Sequence, residues 1–361
     1  MKKICTVVGA RPQFIKLAVV SRELRKKFNE VIIHTGQHYD YNMSDVFFEE
    51  MGIPHPDYNL GISGGTHGVM TGQMLASIED VLIKEKPDML LVFGDTNSTM
   101  AAALAAVKLH IPVCHVEAGN RLGTYENPEE VNRIVTDHVS SLHLVCTPSG
   151  VDFLKKEGFD SSVHLVGDPM YDAFCYYSET LSGKELDDVT DFDGNKVVLP
   201  QNLYYMTCHR QENTDTDEKL NQIFMAMEEL DLPVVYPVHP RNHVRAMRLV
   251  AEKNYKNIIL TNPVGYKASV ALINKAKKIV TDSGGLQREA FYAKKQCVTI
   301  FDFVAWPETM KNNCNQLAKP DKEDILCKLN AEFVFDPSYQ PFGDGHSAQK
   351  IVGLISEFFE K

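Results

Sequence analysis

Met89-Leu-Leu-Val-Phe-Gly-Asp95 and Ile111-Pro-Val-Cys-His-Val-Glu117 are two short apolar runs, each ending in a carboxylate, and residues 96–109 between them read as a helix. Neither run alternates apolar and polar residues, which is the pattern of a strand buried on both faces, as in a parallel sheet covered by helices. A strand, a helix and a second strand in this order form a crossover unit, so the two carboxylates fall at the same edge of one sheet. Beyond Glu117 the chain continues Ala-Gly-Asn-Arg-Leu-Gly-Thr-Tyr-Glu-Asn-Pro-Glu-Glu-Val-Asn-Arg133, which adds Glu129, Arg121 and Arg133 near that edge. The cluster points to proton chemistry at a strand end. Each member also has an ordinary reading, Asp95 as a helix cap and Glu129 as a first-turn acid after Pro128. Glu117 is different, because a carboxylate at a buried strand end needs a partner, and Arg121 or Arg133 is the expected one.

The same alternation runs outward in both directions. Strands are predicted at 4–8, 31–35, 89–93, 112–116, 142–146 and 163–166, with helices such as 14–26 and 129–139 between them. A polar, acidic stretch at 178–195 reads as a domain connection, after which strands resume at 203–207, 234–237, 257–260, 278–281 and 298–300. The expected fold is therefore α/β with two Rossmann-like domains, residues 1–172 and 173–347. Residues 348–359 carry apolar side chains at helical spacing, in a helix that could pack on either half, a return to the first domain being common in two-domain proteins of this design.

The chain has 361 residues, enough for two such cores, with 44% hydrophobic and 24% charged residues. No apolar run approaches the ~18 residues of a membrane span, and Met1-Lys-Lys leads straight into a strand, so no membrane partner is expected and a cytoplasmic location is. The net charge of −11 argues against nucleic acid as a partner. The eight cysteines are scattered without a C-x-x-C pair and read as reduced core thiols.

Further motifs lie at other strand ends. Gly9-Ala-Arg-Pro-Gln-Phe-Ile-Lys16 opens a helix and sets Arg11 and Lys16 beside its free N–H groups, an anion site. It is not a dinucleotide fingerprint, and no Walker pattern occurs. In the second half, Thr281-Asp-Ser-Gly-Gly-Leu-Gln-Arg-Glu289 brings Ser283, Gly284 and Gly285 to a helix start suited to a diphosphate, with Glu289 placed for a sugar hydroxyl. His209 with Arg210, and His239 with Arg241, sit just beyond neighbouring strands and suggest phosphate recognition. Their spacing is not that of metal ligands, and no metal or other cofactor is expected.

Together, Gly9-Ala-Arg-Pro, Thr35-Gly-Gln-His38, Gly94-Asp-Thr, His115-Val-Glu-Ala-Gly119, Pro128-Glu-Glu-Val-Asn-Arg133, Val166-Gly-Asp-Pro, His209-Arg-Gln-Glu-Asn213, Val238-His-Pro and Asp282-Ser-Gly-Gly-Leu-Gln resemble the non-hydrolysing UDP-N-acetylglucosamine 2-epimerase family, from about residue 3 to about residue 318. The resemblance implies a GT-B architecture, parallel sheets facing a central cleft, a UDP-sugar substrate and a homodimer. It implies inversion at C2 through loss and return of UDP and a proton. On this resemblance Asp95, Glu117 and Glu129 transfer protons, and His209 joins the catalytic set. Arg11, His209, Ser283 and Gly284 hold the diphosphate, Glu289 binds ribose, and Arg133 supports the acids or substrate. Gln37 and His38 belong to the substrate site. A GT-B glycosyltransferase, a hydrolysing epimerase and a non-catalytic sugar-nucleotide sensor are the alternatives, and the three acids disfavour the sensor.

Two departures bear on substrate. Where many family members read Arg-Asp-Thr-Thr-Glu-Arg-Pro-Glu, this chain reads Phe301-Asp-Phe-Val-Ala-Trp-Pro-Glu308, which predicts an apolar wall at Phe301 and Trp306 and a preference for an additional acetamido or deoxy carbon. Gln37-His-Tyr-Asp-Tyr-Asn-Met-Ser44 replaces the segment carried by substrate-activated members, so such activation is not expected. That run resembles the branch acting on UDP-2,3-diacetamido-2,3-dideoxyglucuronate, for whose carboxylate Arg121 is the expected cation. Asn120-Arg121 instead resembles the branch acting on 2-acetamido-2,6-dideoxy sugars.

Overall fold

The computed structural model describes residues 1–37 and 48–360. It divides into one compact unit of Met1–Cys175 with Gln340–Lys361 and a second of Tyr176–Tyr339.

In the first unit, β1 (Lys3–Val8), β2 (Asn29–His34), β3 (Tyr58–Asn59), β4 (Met89–Phe93), β5 (Val113–Ala118), β6 (Leu142–Val145) and β7 (Val163–Leu165) form one sheet. Its order is β3-β2-β1-β4-β5-β6-β7, and every pairing is parallel. The central strands are buried along their length because helices cover both faces. On one face Cys5, Val7, Leu90 and Val92 meet Met74 and Ile78 of the helix His67–Glu85 and the alanines 101–103 of the helix Asn97–Lys108. The helix Ser347–Glu360 packs into this unit. Its Ala348 N–H donates to Asp172 Oδ2 at 2.8 Å, and its Phe359 ring lies 5.9 Å from that of Phe28.

In the second unit, β8 (Leu203–Thr207), β9 (Val234–Pro237), β10 (Ile258–Thr261), β11 (Ala276–Thr281), β12 (Gln296–Ile300) and β13 (Asn315–Ala318) are again all parallel, in the order β10-β9-β8-β11-β12-β13. Each sheet therefore has one place where successive connections depart in opposite directions, between β1 and β4 and between β8 and β11. In such sheets ligands bind at the carboxyl ends of the strands beside that switch point. Residues 9–11 and 94–95 occupy it in the first unit, and 208–210 and 282–284 in the second.

The sequence reading missed β3 and β13. The first is two residues long, too short to carry a period, and exists by pairing with Ile33 and His34. The second reads Asn-Gln-Leu-Ala at a sheet edge, where polar residues obscure the strand pattern. Asp95 is also not a cap: Thr96 takes that place, its hydroxyl accepting the Thr99 N–H at 3.2 Å.

Gly9 fixes the entry to the β1 end. A Cβ there would stand 2.2 Å from Thr35 Oγ1 and 2.4 Å from Ser98 Oγ, two hydroxyls already bonded to each other at 2.8 Å. Gly9→Ala should therefore lower unfolding free energy by about 1–3 kcal/mol, the cost of overpacking. Urea denaturation checks this, and an unchanged midpoint would contradict it.

Candidate functional site

In the first unit Glu117 stands on backbone that an ordinary strand does not adopt. Glu117 has φ of 72°, and the β5–β6 register slips between Val116 and Ala118, so Glu117 is the extra residue of a bulge. A non-glycine residue in this region is strained, and such strain persists where the surroundings impose it, often at functional sites. Gly94, which precedes Asp95, has φ of 63°. Its N–H donates to the Val116 carbonyl at 2.9 Å and ties the two acid-bearing turns together.

Glu117 is buried, and its ion-pair partner is the Lys16 ammonium, not Arg121 or Arg133 as the sequence suggested. Lys16 is thus not an open anion-binding cation: it is buried and places its charge directly against the buried carboxylate. Arg133 joins the other acids. Its Nη2 contacts Asp95 Oδ2, and its Nη1 donates to Glu130 Oε2 at 3.1 Å. Burial alone would lower the Arg133 guanidinium, but the carboxylates of Asp95, Glu130 and Glu117 raise it above its ordinary value.

The two acids of Pro128-Glu-Glu separate. Glu130 is buried and accepts the N–H groups of Leu122 and Gly123 at 2.9 and 3.0 Å, closing the preceding loop onto the helix Pro128–Val139. Glu129 is exposed in the first turn of that helix, where Asn127 caps its N–H at 3.0 Å. A further acid was missed by the sequence reading. Asp168, in the quoted Val166-Gly-Asp-Pro motif, groups with Glu117 and Cys146, their ligand-type atoms all lying within 4.8 Å of one another. Asp168 caps the helix Pro169–Glu179, accepting the Met170 N–H at 2.8 Å. These three atoms could hold a cation, but Lys16 already brings positive charge to Glu117.

Arg121 requires a correction. Its guanidinium is buried, paired with Asp137 Oδ2 at 2.7 Å and gripping Glu157 with Nε and Nη2 at 2.7 and 2.8 Å. A guanidinium so committed does not wait for a substrate carboxylate. Gln37 also turns inward, its Oε1 accepting from the Ser98 hydroxyl at 2.7 Å. His38 lies outside the described residues. Arg11 is half-buried in the first turn of the helix Arg11–Leu24.

In the second unit Asp282 organises the switch point. Its Oδ2 accepts the N–H groups of His209 and Arg210, both at 2.8 Å, and its Oδ1 faces His209 Nδ1 at 2.9 Å. Burial would raise this carboxyl, but the hydrogen bond and charge of His209 and the two backbone N–H groups hold it down at about 2. Arg210 Nε donates to the Asp282 carbonyl at 2.7 Å, while Ser283 caps the helix Gly284–Tyr292. His209 and His239 are both exposed, their rings 6.3 Å apart, and Arg241 contacts the His209 carbonyl. Cations and free helix N–H groups around one edge are an anion site. Gly285 is half-buried in the same first turn, and Glu289 is buried further along the helix.

Phe301 and Trp306 also read differently in three dimensions. The Arg210 guanidinium lies 4.1 Å over the Phe301 ring, and that of Arg288 lies 4.0 Å over Trp306, which is itself buried. The two rings are platforms for arginines and not an open apolar wall.

Among the described residues no helix is long and apolar enough to cross a membrane. Residues 22–356 match the family model described as UDP-N-acetylglucosamine 2-epimerase. A UDP-N-acetylglucosamine 2-epimerase homolog of Methanococcus maripaludis is 46% identical over 98% of this chain and 99% of its own length. The UDP-2,3-diacetamido-2,3-dideoxy-D-glucuronate 2-epimerase of Pseudomonas aeruginosa is 41% identical over 98% of this chain and 99% of its own. Among solved structures, the Methanocaldococcus jannaschii UDP-GlcNAc 2-epimerase in complex with UDP-GlcNAc and UDP is 38% identical, with a TM-score of 0.87 over 98% of this chain and 99% of that one.

Proposed function

The chain belongs to the UDP-N-acetylglucosamine 2-epimerase family, and from that membership we propose that it inverts C2 of a UDP-2-acetamido sugar, either UDP-N-acetylglucosamine or a 2,3-diacetamido uronate derivative. It is an isomerase with a GT-B-like pair of Rossmann-like domains. The observation that carries the reading is the first-unit cluster: Asp95 at the switch point and Glu117 at the neighbouring strand end, held by Arg133 and Lys16, with Glu117 on strained backbone.

The reaction needs a base for the C2 proton. As that proton leaves, the C1–O bond breaks, UDP departs with the electron pair, and a C1–C2 double bond remains. Return of a proton to the opposite face of C2 and of UDP to C1 completes the inversion. Asp95, Glu117 and Glu129 carry the proton transfers in this reading. Lys16 sets a cation against the buried Glu117, and Arg133 sets one against the half-buried Asp95. The negative charge developing on UDP calls for cations and N–H donors, which the second unit supplies through His209, Arg210, His239, Ser283, Gly284 and Gly285, with Arg11 from the first. Glu289 takes the ribose, and Gln37 and His38 complete the substrate site. Family resemblance supports a homodimer, and eight free cysteines, six of them buried, are consistent with the cytoplasm.

Incubation with each candidate UDP-sugar in deuterated water tests the proposal. Deuterium should enter C2 of both epimers while the sugar stays attached to UDP. UDP accumulating in step with free sugar would make the enzyme a hydrolase, and absence of C2 deuterium with every candidate would remove epimerisation. The substrate giving the highest kcat/KM decides between the two chemical classes.

A further inference from the structure

A buried polar network lies directly behind the acid cluster, and the chemistry described above makes no use of it. Both nitrogens of the His115 ring face oxygen atoms: Nε2 lies 2.7 Å from the Gly94 carbonyl and Nδ1 lies 2.6 Å from Asp137 Oδ1. The other Asp137 oxygen accepts the Gly119 N–H at 3.1 Å and pairs with Arg121 Nη1 at 2.7 Å. His115 and Asp137 are fully buried, and Arg121 continues the chain of contacts from Asp137 to Glu157. Burial would raise the Asp137 carboxyl, but His115 and then Arg121 hold it below the ordinary carboxylate value.

The places where this network touches backbone are informative. His115 and Gly119 flank Glu117 by two residues on either side, and Asp137 binds both, so one carboxylate braces the two ends of the bulge. The third backbone contact, Gly94, precedes Asp95 and sits in the left-handed region. Asp137 therefore fixes, through His115 and the Gly119 amide, the turns that carry both acids. A strained residue held only by its own Lys16 pair would relax toward an ordinary strand and withdraw its carboxylate, and a misplacement of about 1 Å costs up to about 10²-fold in rate.

We infer that Asp137, acting through His115, is a positioning residue for epimerisation: it sets the backbone from which Asp95 and Glu117 reach the reacting carbon. The inference rests on the proposed reaction and adds a role to a residue that touches no substrate.

Asp137→Asn and His115→Gln, each made in the full chain, test it. The second variant retains a side-chain amide donor where Asp137→Asn proves too unstable to purify. Both should keep cooperative thermal unfolding and bind UDP with affinity within about threefold of wild type, while kcat falls about 10- to 50-fold and KM changes little. With proton abstraction slowed, the isotope effect on kcat from C2-deuterated substrate should rise. The double variant should be no slower than the slower single variant, because the two residues act as one unit. Loss of activity matched by an equal loss of folded protein, with kcat per folded molecule and the isotope effect unchanged, would overturn the positioning role. Failure of the wild-type protein to exchange C2 hydrogen would instead show that the proposed reaction is wrong, and the inference would fall with it.

Discussion

Glu117→Gln is expected to lower kcat by about 10²-fold or more while leaving UDP affinity close to wild type, the size of a lost general acid–base step. The substitution preserves shape and removes the proton site. It also leaves Lys16 buried beside a neutral amide, and breaking a buried pair costs about 3–5 kcal/mol, so folded protein must be quantified before the rates are compared. Two companion variants separate the effects. Asp95→Asn leaves Arg133 its bond to Glu130, and Glu129→Gln changes an exposed side chain, so neither should cost as much stability. Both should nevertheless lose turnover to a similar degree and fail to wash deuterium into C2. UDP affinity, measured by calorimetry, is the internal control because the groups proposed to hold the diphosphate are mainly residues of the second unit. Wild-type turnover in all three variants would remove proton transfer from these acids and assign it to other groups.

The fold was legible because its signal is repeated. Eleven runs of apolar residues read as parallel strands, and strands such as β4, β8 and β9 lie where the unbroken hydrophobic pattern sets them. The edges were not legible, since β3 has no length over which a period can appear. At the candidate site, strand ends located the right segments, but charge partners could not be read from spacing. Lys16 is 101 positions from Glu117 in sequence and reaches it only because β1 lies against β4, which in turn pairs with β5. Arg121 is four positions from Glu117, yet its side chain turns to Asp137 and Glu157. Adjacent identical residues, Glu129 and Glu130, take opposite fates because a helix rotates about 100° per residue, burying one and exposing the next. The stacking of Arg210 on Phe301 depends on two strand ends meeting, and neither local sequence contains that fact.

Asp282→Asn should weaken UDP binding by about tenfold or more and remove an acid-dependent part of stability. The carboxylate is the point from which the second-unit site hangs: it takes both backbone N–H groups of His209 and Arg210, faces the His209 ring, and directly precedes the cap residue Ser283. An asparagine offers one acceptor oxygen and no charge, so the His209 ring loses its anionic partner and the loop its anchor. The pH dependence has a definite sign. A carboxyl lowered from 3.8 to about 2 in the folded state favours folding by about 2 kcal/mol above its unfolded value. That contribution is complete above about pH 5 and is lost as pH falls from about 4 through about 2. The stability gap between wild type and Asp282→Asn, from urea unfolding at successive pH values, should therefore narrow over that window. A gap that stays constant from pH 6 down to pH 3, together with unchanged UDP affinity, would show that Asp282 is neither ionised against His209 nor the organiser of the anion site.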